Sequence, residues 1–181
     1  MRMRTTTLVL LAFLLTGCMS NAQTSNPNQV DLQDAGPAPE LNNTVWLNTL
    51  APIHLADIRG KVVLLEMWTF DCINCQHTLP YLNSWYDKYA SQELVIIGNH
   101  YPEFPYEANL ENLKKAIITD GIKYPVAQDN DGTTWKAYEA EYWPMIYLID
   151  KKGEIRYIRI GEGGYDLTET AIQTLLAEAY P

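Results

Sequence analysis

The sequence predicts an α/β domain with a central mixed sheet flanked by helices, and three features of the chain lead to that fold class. Short apolar runs of strand length alternate with helical patterns through the middle of the chain. Two further apolar runs then meet at Asp150-Lys151-Lys152-Gly153, which is a hairpin signal, and a last helical pattern follows. The alternation predicts parallel strands and the hairpin predicts an antiparallel edge, so the sheet should be mixed.

Apolar runs and helical spacing predict the first half of the domain. The run at 62–67 is apolar on both faces except at Glu66, as expected for a strand at the centre of a sheet that helices cover. The helix after this run contains Pro80, which should kink it. The elements predicted here are strands at 44–47, 53–55 and 62–67, and a helix at 73–90.

The second half follows from the same patterns. The helix predicted from residue 107 has an apolar inner face and should stop at Gly121. A turn at 129–132 separates a short strand from a short helix, and the segment 100–106 should be a loop because it contains two prolines. The elements predicted here are strands at 94–98, 124–127, 145–149 and 155–160, and helices at 107–119, 133–141 and 166–179.

Length and charge narrow the class of protein. A chain of 181 residues with 47% hydrophobic residues is sufficient for one domain with a substantial core. The formal charge of −9 argues against a nucleic-acid partner, although it does not identify a substrate. We expect a monomer.

The first 17 residues should be a signal peptide rather than part of the fold. Arg2 and Arg4 precede an apolar stretch at 8–15 that is too short to span a bilayer. The stretch ends in the letters LTGC, and small residues before a cysteine resemble the lipobox of bacterial lipoproteins. That resemblance implies cleavage before Cys18, a lipid on its sulfur and an acylated new N-terminus, which together would anchor the protein to a membrane. The alternative is an ordinary secretory signal with an incidental cysteine.

Residues 18–40 should form the lipidated N-terminus and a flexible tether, and the domain should occupy 41–181. The tether is rich in Ser, Asn, Gln, Pro and Ala and has no apolar periodicity. Met19 follows Cys18 where an inner-membrane retention signal would usually place Asp, which favours the outer membrane. The domain would then face the periplasm, a compartment that allows disulfide chemistry.

The chemistry of the chain centres on Cys72 and Cys75. Two cysteines three apart at a strand-to-helix turn most often form a redox-active dithiol. Cys72 would lie at the helix N-terminus, where unpaired N–H groups and the helix dipole lower a thiol pKa from about 8.5 towards or below 7. Cys75 would lie one turn further along, close enough for a disulfide. Asp71 should oppose the thiolate. The alternatives are a structural disulfide or half of a zinc site, but zinc needs about four ligands and only His77 is nearby in sequence.

The stretch from Trp68 to Pro80, with its Trp-x-x-x-Cys-x-x-Cys pattern and a proline five residues later, resembles the thioredoxin superfamily and its extracytoplasmic TlpA/ResA-like branch. It is especially similar to the thioredoxin-like domain of DipZ-type proteins, in which such a domain is joined to a membrane electron carrier of the CcdA type. The resemblance covers roughly residues 41–179 and includes a second proline, Pro144, before a strand. It implies a thioredoxin fold with an N-terminal strand extension and an inserted strand–helix unit.

The resemblance also implies roles for single residues. Cys72 matches the attacking cysteine of the family, and Cys75 matches the resolving one. Glu66 matches the buried acid of thioredoxins, whose raised pKa would let it accept the proton of Cys75. The alternative for Glu66 is an exposed position at a strand end. Trp68 should shield the dithiol, although ordinary core packing would also explain it.

Pro144 matches the family's cis-proline, which faces the cysteines and leaves the preceding backbone free to pair with a substrate strand. The alternative is a trans proline that opens an edge strand. Trp143 stands where many relatives carry a small residue, so its indole should narrow or reshape the substrate groove. We expect His77 to point towards another helix face, whereas His100 ends a strand and could lie near the site.

Together these observations predict a membrane-tethered periplasmic thiol–disulfide oxidoreductase that reduces protein or small-molecule disulfides through Cys72 and Cys75. The resemblance implies a DsbD/CcdA-type membrane protein as electron donor, and the cycle needs no cofactor. One alternative is an oxidase that donates its disulfide, because direction is a matter of potential. Another is a protein that holds copper through its thiols. A thiol peroxidase would need a Thr and Arg constellation around the cysteine, which the sequence does not reveal.

Overall fold

The computed structural model describes residues 30–180, which form a six-stranded mixed sheet between two layers of helices and loops. The predicted signal peptide and Cys18 lie outside the described residues. The strands are β1 (Val45–Leu47), β2 (Val62–Trp68), β3 (Leu94–His100), β4 (Val126–Gln128), β5 (Met145–Ile149) and β6 (Ile155–Ile160). The helices are α1 (Ile73–Tyr89), α2 (Leu110–Thr119), α3 (Thr133–Ala137) and α4 (Tyr165–Ala177). Short 3₁₀ turns occupy Leu55–Ile58, Ala90–Gln92 and Pro105–Ala108.

The sheet has the strand order β1-β4-β3-β2-β5-β6. The central strands β2, β3 and β4 are parallel to one another. Strand β1 is antiparallel to β4 at one edge, and β5 is antiparallel to both β2 and β6 at the other. This confirms the predicted α/β class with a mixed sheet. The C-terminal ends of β2, β3 and β4 and the N-terminal end of β5 therefore meet along one edge of the sheet.

Alternate residues of β2 supply the two halves of the core. Leu64 and Trp68 pack with the apolar faces of α1, α2 and α4. Leu65 and Met67 point the other way and pack with Trp135 of α3 and with loop residues. All seven residues of the strand are buried, as its continuous apolar run predicts for a central strand.

The structured part of the chain begins before the expected boundary at residue 41. The backbone N–H groups of Gln33 and Ala35 donate to carbonyls of β6, and that of Ala38 donates to the carbonyl of Gly153. The side chain of Leu32 also packs against the core. The second half of the predicted tether is therefore docked on the domain, because backbone pairing with an edge strand needs no apolar periodicity in the paired segment.

Two local predictions are wrong, and the helix predicted at 133–141 ends already at Ala137. Residues 53–55 do not form a strand, because the N–H groups of Leu55 and Ala56 donate to the carboxylate of Glu40 and begin a 3₁₀ turn. The helix expected from residue 107 begins at Leu110, where the side chain of Asn109 caps it by accepting two backbone N–H bonds. No helix within residues 30–180 is both long and apolar enough to cross a bilayer.

Candidate active site

The two cysteines lie at the point where the chain turns from β2 into α1. Cys72 is the N-cap residue of this 17-residue helix, and its Sγ accepts a hydrogen bond of 3.2 Å from the backbone N–H of Cys75. The two residues are disulfide-bonded, with their Cα atoms 5.2 Å apart. Cys72 is half-buried and Cys75 is fully buried. A partner molecule can therefore reach the sulfur of Cys72 but not that of Cys75, and the helix N-terminus favours a thiolate at Cys72.

Pro144 lies at the same edge of the sheet as the dithiol. The peptide bond between Trp143 and Pro144 is cis, as predicted, and Pro144 is buried. The next residue, Met145, pairs with Met67 near the end of β2. The antiparallel pairing of β5 with β2 thus places Pro144 beside the strand end that leads to Cys72.

The indole of Trp143 belongs to an aromatic cluster on one side of this edge. Its Nε1 donates a 3.1 Å hydrogen bond to the carbonyl of Tyr101. The ring stacks on that of Tyr101 with centroids 5.9 Å apart, and it lies 4.5 Å from the ring of Trp135. These contacts fix the orientation of the half-buried indole. Its effect on the substrate groove stays a prediction.

Glu66 is buried at the centre of the sheet, so an exposed position at a strand end is wrong. Neither carboxylate oxygen has a hydrogen-bond partner among the described residues. Burial raises the pKa of Glu66 well above its ordinary value, because the charged form loses hydration without gaining a partner. By strand alternation Glu66 faces the same layer as Leu64 and Trp68, which is also the layer that contains Cys75.

Two other polar groups share the interior with Glu66. Gly98 pairs with Glu66 on the neighbouring strand, and a Cβ at Gly98 would lie 2.7 Å from Nε1 of Trp68 and 3.3 Å from the ring of Tyr124. Both of these side chains are fully buried. The charge of Glu66 contributes to the raised pKa of the Tyr124 hydroxyl, after burial itself. Trp68 is thus core, and its role as a shield of the dithiol stays a prediction.

Sequence reasoning missed Glu107, which it placed only at the start of a helix. Its fully buried carboxylate accepts hydrogen bonds from the hydroxyl of Thr69 and from the backbone N–H of Asp71, both in the turn before Cys72. It also accepts from the backbone N–H groups of Glu103 and Phe104. A local signal existed, because Pro105 followed by Glu107 is typical of the first and third positions of a helical turn.

The two histidines singled out in the sequence occupy different environments. His100 is fully buried between the rings of Trp68 and Phe70, and its Nε2 lies 3.3 Å from the hydroxyl of Thr69. Burial lowers the pKa of His100 to about 4, so the ring is neutral at physiological pH. His77 is exposed, and its Nδ1 lies 3.2 Å from the carboxylate of Glu162.

Asp71 is anchored from outside the turn. Its carboxylate accepts a hydrogen bond from the hydroxyl of Tyr106. That bond raises the pKa of Tyr106 to about 12. Across residues 30–180, no group of three or more His, Cys, Asp or Glu side chains is arranged to hold a metal ion.

Comparison with known proteins places this architecture among redox proteins. The sequence profile of the AhpC/TSA family matches residues 33–158. The protein DipZ of Mycobacterium tuberculosis is 45% identical over 166 residues, which are 89% of this chain but only 24% of DipZ. The thiol-disulfide oxidoreductase YkuV of Bacillus subtilis is 30% identical over 144 residues, which are 78% of this chain and 95% of YkuV.

Solved structures agree with these relatives. A thioredoxin-like superfamily protein superimposes with a TM-score of 0.75 at 32% identity, over 80% of this chain and 99% of its own. A thiol-disulfide isomerase from Corynebacterium glutamicum superimposes with a TM-score of 0.72 at 31% identity, over 81% of this chain and 100% of its own. The fold is therefore the thioredoxin fold that the sequence predicts.

Proposed function

This chain belongs to the AhpC/TSA family and is a thiol–disulfide oxidoreductase of thioredoxin fold, and from that premise we propose that it reduces disulfides in exported proteins at the periplasmic face of a membrane. The observation that carries the proposal is the contrast between the two cysteines. Cys72 is accessible at a helix N-terminus, whereas Cys75 is fully buried in the layer that Glu66 faces. Such a pair suits one sulfur to attack and the other to resolve.

In the proposed cycle the thiolate of Cys72 attacks one sulfur of a substrate disulfide. A bond forms between Cys72 and that sulfur, the substrate S–S bond breaks, and the leaving thiolate takes a proton. The thiol of Cys75 then gives its proton to Glu66 in those molecules in which this carboxyl is ionised, and the raised pKa of Glu66 makes that carboxylate a stronger base than an exposed one. The Cys75 thiolate attacks Cys72, which forms the internal disulfide and releases the second substrate thiolate. The substrate gains two electrons and the protein loses two.

The oxidised protein must then regain two electrons. We propose a DsbD/CcdA-type membrane protein as the donor, because DipZ-type proteins join a similar domain to a carrier of the CcdA type. Since this chain spans about a quarter of DipZ, the donor is an inference from that resemblance. The lipid on Cys18 would hold the domain at the periplasmic face of a membrane, with the outer membrane as the favoured site.

The equilibrium potential of the Cys72–Cys75 pair tests the direction of electron flow. The purified protein is equilibrated with graded dithiothreitol or glutathione buffers, and the fraction of dithiol is measured. A potential near or below about −250 mV would support a reductase, because thioredoxin lies near that value. A potential near about −120 mV would assign the alternative oxidase role.

A trapping experiment tests the assignment of the two cysteines. Cys75→Ser should accumulate a mixed disulfide between Cys72 and substrate proteins, because the step that resolves it is lost. Cys72→Ser is the matched control and should accumulate none, since the buried Cys75 cannot reach a substrate. Equal trapping by both variants would overturn the assignment.

A labelling experiment tests the lipid anchor. Cys18→Ala should abolish incorporation of labelled fatty acid into the protein.

A further inference from the structure

Glu107 links two parts of the chain that are far apart in sequence. One carboxylate oxygen accepts the Thr69 hydroxyl at 2.5 Å and the Asp71 N–H at 3.2 Å. The other accepts the N–H groups of Glu103 and Phe104, each at 2.7 Å. We call the loop at 101–108, which contains Glu107 itself, the clasp loop. One oxygen of Glu107 therefore binds the turn that leads to Cys72, and the other binds the backbone of the clasp loop.

The clasp loop makes a second contact with the same turn. Tyr106 donates its hydroxyl to the carboxylate of Asp71, and its ring lies 6.1 Å from that of Phe70. Phe70 stacks in turn on the buried ring of His100, at the end of β3. The turn before Cys72 thus contacts the clasp loop through Asp71 and Phe70, and it contacts the end of β3 through the stacking of Phe70 on His100.

An ionised carboxylate only accepts hydrogen bonds and has four lone pairs for them. The four donors around Glu107 therefore match the ionised form of this side chain. Within residues 30–180 no cation pairs with it, and all four donors are neutral N–H or O–H groups. A negative charge therefore sits next to the residue that precedes Cys72. Such a charge opposes a thiolate at Cys72, while the helix N-terminus favours one.

We propose that Glu107 is a positioning residue that clamps the turn before Cys72 to the clasp loop and, through its buried charge, holds the dithiol–disulfide equilibrium towards the disulfide. This proposal rests on the redox function proposed above and specifies how that site is tuned. A stabilised thiolate would favour the reduced protein, so a charge that destabilises the thiolate makes the protein a stronger reductant.

Glu107→Gln removes the charge while it keeps the size of the side chain. The amide NH₂ group cannot accept from a backbone N–H, so it must face the Thr69 hydroxyl, which can act as acceptor. The remaining oxygen then keeps the bonds to Glu103 and Phe104, and only the bond to the N–H of Asp71 is lost. The variant therefore loses charge near Cys72 with the clasp loop still attached.

Thr69→Val acts on the same site in the opposite sense. The substitution keeps the branched shape but removes the hydroxyl that donates to Glu107. The carboxylate keeps its charge and loses one donor that partly neutralises it, so its field at Cys72 becomes stronger. The two variants should thus shift the equilibrium in opposite directions, whereas both would simply lower stability if Glu107 had only a structural role.

The matched control is Glu40→Gln. Glu40 also accepts backbone N–H bonds, from Leu41, Leu55 and Ala56, but the side chains of Leu41 and Leu55 belong to the core layer on the other side of the sheet from α1. Its loss should lower the free energy of unfolding without moving the dithiol–disulfide equilibrium. Glu40→Gln therefore separates the general effect of losing a carboxylate that binds backbone N–H groups from a specific effect on Cys72.

The experiment measures the dithiol–disulfide equilibrium constant of each purified protein in glutathione buffers, together with the pH profile of alkylation at Cys72. Glu107→Gln should shift the constant about tenfold towards the dithiol, which equals about 30 mV, and should move the alkylation midpoint to lower pH. Thr69→Val should shift both in the other direction, and Glu40→Gln should match the wild type. Unchanged values in Glu107→Gln, or shifts of the same sign in both site variants, would overturn the proposal. Failure of the wild type to form the disulfide would instead overturn the redox function.

Discussion

Replacing Glu66 by Gln should remove a pH dependence from the stability of the protein. The carboxyl is fully buried and has no hydrogen-bond partner within residues 30–180, so burial raises its pKa well above the ordinary value. In the unfolded chain the same group titrates near about 4.3. Between these two pKa values the folded protein keeps a proton that the unfolded chain has released. Raising the pH in that window therefore favours the unfolded state.

The magnitude follows from proton linkage. One proton of difference changes the free energy of unfolding by about 1.4 kcal/mol per pH unit. The wild type should lose stability at that slope as the pH rises from the unfolded pKa towards the folded one. Glu66→Gln carries no titrating group, so the difference in unfolding free energy between the two proteins should grow by the same amount per pH unit. Below about pH 3 the difference should be nearly constant, because Glu66 is then neutral in both states.

The assay is urea unfolding of the oxidised proteins at pH 5, 6, 7 and 8, since the linear extrapolation gives the free energy of unfolding at each pH. Glu111→Gln is the matched control, because Glu111 lies on the exposed face of α2 and should leave the wild-type slope intact. A difference between wild type and Glu66→Gln that stays constant from pH 5 to 8 would show that the folded protein stabilises the ionised carboxylate. The proposed role of Glu66 as proton acceptor for Cys75 would then fail.

Two further predictions concern the surroundings of the site. Gly98→Ala should lower the free energy of unfolding by about 1–3 kcal/mol in urea, because the new Cβ meets the indole of Trp68 at 2.7 Å in a packed interior; a loss below about 0.5 kcal/mol would contradict this packing. Asp71→Asn should lower the pKa of Tyr106 from about 12 towards its ordinary value, because the hydrogen bond to the carboxylate raises it. The test is the pH titration of phenolate absorbance, with Tyr106→Phe identifying the signal, and an unchanged midpoint would refute the prediction.

Elements with local causes could be predicted from the sequence. Strands β5 and β6 have the predicted bounds, because their apolar runs are separated by a turn in which Gly153 adopts a positive φ of 86°. The start of α1 and the position of Cys72 and Cys75 on it were also predictable, since a buried strand, a turn and a helical pattern follow one another there. The cis bond before Pro144 came from the resemblance to a family rather than from local pattern.

Features that depend on distant residues could not be predicted in this way. The segment 53–55 looks like a strand by composition, but its backbone is held by Glu40, about fifteen positions earlier. The contact between Glu107 and Thr69 joins residues 38 positions apart, so only the capping half of the arrangement was visible in the sequence. The indole of Trp143 likewise is fixed by the carbonyl of Tyr101, 42 positions away.

Glu66 and Glu107 are the same type of side chain, but their different hydrogen-bond partners suit them to different roles. Both are fully buried and both act near the end of β2. Glu66 has no hydrogen-bond donor in the described part of the chain, so its charged form is disfavoured and the group is suited to take up a proton. Glu107 has four donors, so its charged form is satisfied and the group is suited to hold backbone in place.

This difference predicts which step each glutamate controls. Loss of Glu66 should slow the resolution of the mixed disulfide, because that step needs the proton of Cys75 to leave. Loss of Glu107 should change the first attack by Cys72, because it alters the environment of that thiolate. Single-turnover reduction of a model disulfide separates the two steps, since the mixed disulfide should accumulate in Glu66→Gln and not in Glu107→Gln. Accumulation in both variants would mean that the two carboxylates do not act on separate cysteines.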